Sequence, residues 1–191
     1  MSKTKIYIPA DSAARSLGSD ETANAISKLI DNNKIQAELV RNGSRGLYWL
    51  EPLVEIETEQ GRFAFGPVNE KQAGDLFSNN QIPDIDHPNC LGLTEDIPAL
   101  AMQQRVTAQR LGLAEPLSLA SYLANGGYQG LKKALSLDSQ IIVNAVKESG
   151  LRGRGGAAFS TGIKWQTVLN AGADDPHQQK YIVCNADEGD S

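Results

Sequence analysis

The stretch Gly150–Trp165 reads GLRGRGGAAFSTGIKW, and the rest of the chain is best interpreted around it. Three of its glycines lie so close together that the main chain can adopt positive φ and approach a ligand: Gly153, Gly155 and Gly156. Successive main-chain N–H groups in such a loop can converge on an anion. Three cations surround them: Arg152, Arg154 and Lys164. The stretch therefore predicts a phosphate-binding loop.

A second stretch follows at Tyr181–Asp190, YIVCNADEGD. Its first four residues are aromatic or β-branched apart from the cysteine, which predicts a strand over Tyr181–Cys184. The polar residues that follow would lie at the carboxyl end of this strand, where open α/β sheets bind ligands. Carboxylates there suit ligand hydroxyls, ring N–H groups and a cationic nicotinamide. The two stretches together predict a nucleotide site with the phosphate on the glycine loop.

The spacing of the glycines alone does not establish a dinucleotide-binding motif. Gly153-x-Gly155-x-x-Ala158 fits the GxGxxG/A pattern, but that pattern must follow a strand and begin a helix. Here it follows Ser139–Ser149, whose apolar stripe predicts a helix that ends at Gly150. We therefore do not expect a conventional Rossmann start, and a flexible connection between helices is the alternative.

Composition narrows the class of protein. The chain has 191 residues, enough for one large or two small domains, and a net charge of −5, which argues against nucleic-acid or anionic-membrane binding. It has no apolar run of about 20 residues and no signal-peptide core, so we expect a cytoplasmic protein without direct membrane insertion. Its cysteines and histidines show no metal-ligand spacing: Cys90, Cys184, His87 and His177.

The first eighty residues predict the order β-α-β-β-β-α, a small α+β domain of thioredoxin-like type. The strands are expected over 4–9, 36–40, 53–58 and 62–65, and the helices over 20–32 and 69–77. Residues 79–98 are rich in Asn, Asp, Pro and Gly and predict a linker. Helices are then expected over 99–111 and from Ser118 to Ala124.

The motif GLRGRGGAAFSTGIKW followed by VCNADE resembles the flavoprotein subunit of respiratory complex I and the related diaphorase subunits of NAD-linked formate dehydrogenases and NAD-reducing hydrogenases. The block Ala124–Ala134, ANGGYQGLKKA, is similar to the segment before the loop in those proteins. The resemblance implies FMN and NAD as cofactors. It implies FMN contacts at Gly153, Arg154, Gly155, Gly156, Ala157, Lys164, Asn185, Asp187 and Glu188, and NAD contacts at Phe159, Glu188 and Asp190.

Each of these residues also has a purely structural interpretation. Lys164 could be a solvated lysine, Phe159 a core aromatic, and the polar residues after Cys184 an ordinary exit from a strand. Cys184 itself is expected to be a small buried residue. Since FMN carries out the chemistry in this family, no side chain is expected to act as a general acid or base.

The N-terminal half resembles the thioredoxin-like ferredoxin that partners the flavoprotein. In that family a C-x4-C pair and a C-x-G-x-C pair hold a [2Fe–2S] cluster. The second pair is replaced here by Ser44 and Tyr48, and the first pair falls at Pro9 and Ala14. None of these residues is a thiolate or an imidazole, so we expect no [2Fe–2S] cluster and a domain kept for packing or docking.

The resemblance implies a thioredoxin-like domain at 1–80, a linker and helix at 81–116, and the incomplete first part of an FMN-binding α/β domain at 117–191. The family's [4Fe–4S] cysteines lie further along than Ser191, so this chain alone is expected to bind FMN poorly. A cluster-free domain fused ahead of the flavin domain favours the β subunit of a soluble molybdenum-type NAD-dependent formate dehydrogenase. Its expected partners are a molybdenum and iron–sulfur catalytic subunit and a small iron–sulfur subunit. The alternatives are the flavoprotein of NADH:quinone oxidoreductase or of NAD-reducing hydrogenase, or a non-catalytic docking module.

Overall fold

The computed structural model describes residues 3–32, 34–77, 83–171, 179 and 181–184. The chain forms two compact units, Met1–Gly126 and Gly127–Ser191. The first unit thus extends to Gly126, past both domain boundaries predicted from the sequence, at residues 80 and 116.

A mixed five-stranded sheet forms the centre of the N-terminal unit. Its strands are β1 (Thr4–Tyr7), β2 (Ala37–Val40), β3 (Val54–Thr58), β4 (Gly61–Phe65) and β5 (Cys90–Leu93), in the order β2-β1-β3-β4-β5. β1 and β2 are parallel and are connected through α1 (Ser12–Ser16) and α2 (Ser19–Asp31), whereas the other neighbouring strands are antiparallel. A β-α-β unit followed by an antiparallel hairpin in this order is the thioredoxin-like arrangement that the sequence predicts.

The main hydrophobic core lies between α2 and one face of the sheet. Side chains alternate between the faces of a strand, so Ile6 of β1, Ile56 of β3 and Phe65 of β4 point to the same side. They pack with Ile26 of α2, and all four residues have no exposed surface.

The opposite face of the sheet carries a buried ion pair. Arg45, from the loop after β2, donates from Nε and Nη2 to the two carboxylate oxygens of Glu55 on β3, at 2.8 and 2.9 Å. Each of the two side chains is only 1% exposed. Burial alone would lower the pKa of Arg45, but the hydrogen bonds and charge of Glu55, and then of Glu95, raise it above its ordinary value. Arg62 of β4 donates from Nη1 to the same Glu55 carboxylate at 3.2 Å, and its guanidinium stacks on Tyr7 with Cζ 3.4 Å from the ring centroid.

Two predicted helices of the N-terminal unit are wrong. The segment 99–111 contains only α3 (Pro98–Ala101), because Met102 and Val106 are 82% and 73% exposed and offer no buried apolar face to continue it. The segment 69–77 is mostly turn and ends in a short 3₁₀ helix, Asp75–Phe77. There the side chain of Asn69 accepts hydrogen bonds from two main-chain N–H groups and favours a turn. In addition, β5 forms within the segment predicted to be a linker.

The expected helix from Ser118 to Ala124 is present as α4 (Leu119–Ala124), with Ser118 as its N-cap. The described part of the C-terminal unit contains α5 (Gln129–Leu135), α6 (Ser139–Glu148) and α7 (Thr161–Asn170). α6 confirms the helix predicted before the glycine loop.

The strand predicted over Tyr181–Cys184 does not form. Within the described residues of the C-terminal unit there is no strand for it to pair with, and an isolated strand is not stable in water. Tyr181, Ile182 and Val183 are 81%, 101% and 89% exposed, and Cys184 is exposed rather than buried. None of the helices in the described ranges has the length and apolar character that a membrane span requires.

Candidate functional site

The glycine loop between α6 and α7 is closed at its base like a small hairpin. Gly153 N–H donates to the carbonyl of Phe159 at 2.8 Å, and Thr161 N–H donates to that of Leu151 at 3.0 Å. Gly150, with φ +67°, ends α6 in the left-handed conformation predicted for it. These contacts hold the loop against the start of α7 and leave residues 154–157 as its tip.

The tip presents main-chain N–H groups to solvent. Gly155 and Gly156 are exposed, and an added Cβ at either would meet nothing within 4 Å. Gly156 has φ +84°, a conformation that other residues seldom adopt. Among the described residues, no acceptor pairs with the N–H of Arg154, Gly155 or Gly156. The loop therefore has three N–H groups available to an anion, as the sequence predicts for a phosphate cradle.

Two arginines of the loop have different roles. Arg152 donates from Nε to the carbonyl of Ala158 at 2.6 Å and so spans the base of the loop. This bond supports Ala158, which has φ +48°, an unfavourable conformation for a residue with a Cβ. Arg154 is exposed at the tip. Arg152 thus stabilises the loop, and Arg154 is placed to meet a ligand.

Lys164 and Phe159 lie together beside the loop. Lys164 is in the first turn of α7, and its Nζ lies 5.9 Å from the centroid of the Phe159 ring. A Cβ on Gly153 would come within 3.3 Å of the same Nζ, so the absence of a side chain leaves room for the lysine. Phe159 is 51% exposed, which contradicts a core role within the described residues. An ammonium, an aromatic face and open N–H groups thus lie on one stretch of surface.

Gly162 is an important residue that the sequence analysis missed. It is buried in the first turn of α7, and a Cβ there would lie 2.6 Å from Cγ, 2.7 Å from Cα and 2.9 Å from N of Lys147 on α6. Two of these three atoms belong to the main chain and cannot move aside. Gly162 therefore permits the close packing of α6 and α7 that closes the loop. The available signal was a glycine just inside a predicted helix.

The remaining predicted site residues lie outside the described residues: Asn185, Asp187, Glu188 and Asp190. Their roles toward FMN and NAD stay predictions.

Ala14 and Ser44, two of the positions that resemble iron ligands, take part in a polar network around Asp11 and Glu51. Asp11 accepts hydrogen bonds from the N–H of Ala13 and Ala14 through Oδ1, and from the N–H of Ser44 through Oδ2. Ser44 donates from Oγ to Glu51 at 2.8 Å, and Glu51 also accepts from Leu53 N–H at 3.0 Å. Burial raises the pKa of Glu51. Hydrogen bonds thus connect the loop after β1, which contains Asp11, with the loop after β2, which contains Ser44. Among the described residues, no group of three His, Cys, Asp or Glu side chains could hold a metal ion.

Comparison with known proteins identifies the glycine-loop segment. Residues 146–191 match the family described as the Nuo51 FMN-binding domain. The resemblance to complex I flavoproteins and their relatives is confirmed for this segment. The fold class is also confirmed: the strand order gives a thioredoxin-like N-terminal domain, and a segment that matches an FMN-binding domain family follows it.

Several curated proteins are similar to the chain over part of its length. The NADP-reducing hydrogenase subunit HndC of Solidesulfovibrio fructosivorans is 51% identical over 88 residues, 46% of this chain and 17% of that protein. An NADH-quinone oxidoreductase subunit of Escherichia coli is 47% identical over 75 residues, 39% of this chain and 16% of that protein. An NADH-quinone oxidoreductase subunit of Rhizobium meliloti is 52% identical over 73 residues, 38% of this chain and 16% of that protein. The chain thus spans about one sixth of the length of these relatives.

A solved structure of a thioredoxin-like [2Fe-2S] ferredoxin variant from Aquifex aeolicus aligns with 47% of this chain and 98% of its own, at 11% identity and a TM-score of 0.40. The assignment of the N-terminal fold depends on the strand order.

Proposed function

We propose that the chain is part of a diaphorase subunit that moves electrons between NAD(H) and iron–sulfur clusters through FMN. The observation that carries this proposal is the loop tip with three open N–H groups beside Lys164, within a segment that matches an FMN-binding family.

The described residues fit the phosphate end of FMN. The N–H groups of Arg154, Gly155 and Gly156 would hold the phosphate oxygens, and Lys164 would balance their charge. The open space around Gly155 and Gly156 lets a ligand approach the main chain. The N–H of Gly153 is already bonded to Phe159, so Gly153 would contribute space rather than a hydrogen bond.

Other contacts follow from the resemblance. The exposed ring of Phe159 would stack on the NAD adenine, and Asn185, Asp187 and Glu188 would hold the flavin. Glu188 and Asp190 would face the nicotinamide. When bound, FMN exchanges a hydride with NAD(H) and passes electrons on singly, and the protein supplies binding and orientation.

The parent enzyme is the finer part of the proposal. A thioredoxin-like domain without cluster ligands, fused ahead of the flavin segment, favours the β subunit of a soluble NAD-dependent formate dehydrogenase. Its partners would be a molybdenum and iron–sulfur catalytic subunit and a small iron–sulfur subunit, and a [4Fe–4S] cluster would be held by residues beyond those of this chain. The match to the hydrogenase subunit HndC favours a hydrogenase diaphorase as the second candidate.

The phosphate site can be tested by NMR titration of the chain with FMN and with riboflavin, carried to millimolar concentration because this chain alone is expected to bind FMN weakly. We expect FMN to shift the amide resonances of residues 154–156 and riboflavin, which lacks the phosphate, to shift them much less. Lys164→Gln should weaken FMN binding by at least about tenfold, since a hydrogen bond to a charged group contributes about 1.5–3 kcal/mol.

Lys132→Gln, on the exposed surface of α5, is the matched control and should leave the affinity unchanged. Equal loss in both variants, or shifts confined to other residues, would contradict the assignment of the loop. A docking module without cofactor would show no FMN-dependent shifts at all.

The parent enzyme can be tested by deleting the gene. Loss of NAD-dependent formate oxidation supports the formate dehydrogenase. Unchanged formate oxidation with loss of hydrogen-linked reduction of NAD or NADP supports the hydrogenase instead.

A further inference from the structure

Residues 110–115, which we call the strap, cross the buried charged face of the thioredoxin-like sheet. The carbonyl of Gly112 accepts hydrogen bonds from Asn42 Nδ2 at 2.8 Å and from Arg62 Nη1 at 2.7 Å. The carbonyl of Ala114 accepts from Gly43 N–H at 3.2 Å. The sheet unit therefore binds the strap through the strap's main chain.

The contact between the strap and the sheet leaves room only for glycine at position 112. Gly112 is buried with φ +75°, and a Cβ there would lie 2.1 Å from both Cδ and Nε of Arg45. The strap thus lies directly on the guanidinium that pairs with Glu55. A side chain at this position would have to displace either the strap or the ion pair.

Asn42 is kept buried at an energetic cost. It has no exposed surface, and its Oδ1 has no hydrogen-bond partner among the described residues. A buried polar atom without a partner is unfavourable. The hydrogen bond that the Asn42 side chain donates goes to the strap, so holding the strap accounts for the presence of this amide.

The strap in turn holds α4. Arg110 donates from Nε to the carbonyl of Asn125 at 2.9 Å and from Nη2 to that of Gly126 at 3.1 Å. These are carbonyls at the end of α4, where a cation is favourable. At the other end of the helix, Glu115 N–H donates to Ser121 Oγ at 3.0 Å. Both ends of α4 are therefore connected to the strap.

We propose that the strap is a positioning device: it transmits the rigidity of the sheet to α4 and so fixes the point, at Gly126, where the chain leaves the N-terminal unit. The exit point is then held by the sheet and is not carried on a flexible tether. This role concerns the N-terminal unit alone and does not depend on FMN binding.

Hydrogen–deuterium exchange of the whole chain, read by mass spectrometry, tests this role. In the strap, Leu113 and Ala114 N–H both donate to Arg110 O, and in α4, Asn125 N–H donates to Ser121 O. We expect Asn42→Ala to accelerate exchange about fivefold in both segments, since one hydrogen bond typically stabilises by about 1 kcal/mol.

Asn89→Ala is the matched control, because Asn89 Nδ2 also donates to a main-chain carbonyl, that of Pro67, at 2.6 Å. It should leave both segments unchanged. Acceleration in the strap without acceleration in α4 after Asn42→Ala would overturn the proposal, and so would exchange in wild-type α4 as fast as in an unfolded peptide.

A second variant keeps the test decisive if Asn42→Ala does not fold. Arg110 is exposed, and Arg110→Ala removes the connection at the C-terminal end of α4 without touching the sheet. We expect faster exchange in α4 and no change at Leu113 and Ala114. Unchanged exchange in α4 would overturn the proposal.

Discussion

Replacing Gly112 with alanine tests the buried charged face most directly. The new Cβ would lie 2.1 Å from Arg45 Cδ and Nε, far inside van der Waals contact. The alanine would also have to adopt φ +75°, which is unfavourable for any residue with a Cβ. Because Arg45 is paired with Glu55 and is almost fully buried, its side chain cannot simply move into solvent.

The expected cost has two parts. Positive φ costs about 1–2 kcal/mol, and forcing an extra methyl into a packed interior costs about 1–3 kcal/mol. We therefore expect Gly112→Ala to lower the free energy of unfolding by about 2–5 kcal/mol. This is a large fraction of the total stability of an ordinary domain, about 5–15 kcal/mol.

Two control variants separate the cost of positive φ from the cost of the contact with Arg45. Gly46 has φ +79° with nothing within 4 Å of an added Cβ, so Gly46→Ala measures the backbone cost alone. Gly74 has open space and no positive φ, so Gly74→Ala measures neither cost. Urea unfolding can be followed by Trp49 emission in a Trp165→Phe background, because Trp49 lies in the N-terminal unit and Trp165 in the other. If Gly112→Ala and Gly46→Ala agree within about 0.5 kcal/mol, the contact with Arg45 carries no energetic weight and the reasoning fails.

The remaining predictions concern helix packing and pH. Gly162→Ala should destabilise the C-terminal unit by about 1–3 kcal/mol, because its Cβ would collide with the main chain of α6. Trp165 emission during urea unfolding measures the loss of stability. An unchanged unfolding midpoint would be inconsistent with the close packing of α6 and α7. Gly130→Ala, in open space on α5, should instead stabilise the same unit by up to about 1 kcal/mol in the same assay, and a destabilised variant would contradict the assignment of this helix. Burial raises the pKa of Glu51, so the folded protein binds the proton of this carboxyl group more tightly than the unfolded chain does. Relative to Glu51→Gln, the unfolding free energy of the wild type should therefore fall as the pH rises from about 4 to about 7, and a pH-independent difference in urea unfolding would contradict this.

Local sequence patterns predicted the helices and strands whose apolar residues recur at regular spacing. α2 and α6 have apolar residues at helical spacing, and β3 and β4 surround a turn with a glycine, so pattern and packing agree. β5 was missed because CLGL is short and lies in a proline-rich segment, and its glycine has φ +80°. It forms because the edge of β4 supplies pairing partners that no local pattern can reveal.

The candidate site also contains residues that local sequence patterns predict and residues that they miss. The glycine loop and Lys164 were predicted as site residues from the sequence, because closely spaced glycines and cations are informative locally. Gly162 and the strap were missed, because the role of each glycine is decided by a residue far away in the sequence, Lys147 for Gly162 and Arg45 for Gly112. A strand at Tyr181–Cys184 was expected because propensity is local, whereas a strand requires neighbours.

The position of the strap decides how this chain can be divided for separate expression. A fragment that ends near residue 80, as the composition of the sequence suggests, would remove Gly112 and leave the guanidinium of Arg45 and the carboxylate of Glu55 facing water on a sheet built to hide them. A fragment that continues to Gly126 keeps that cover and both ends of α4. The N-terminal compact unit therefore extends well past β5.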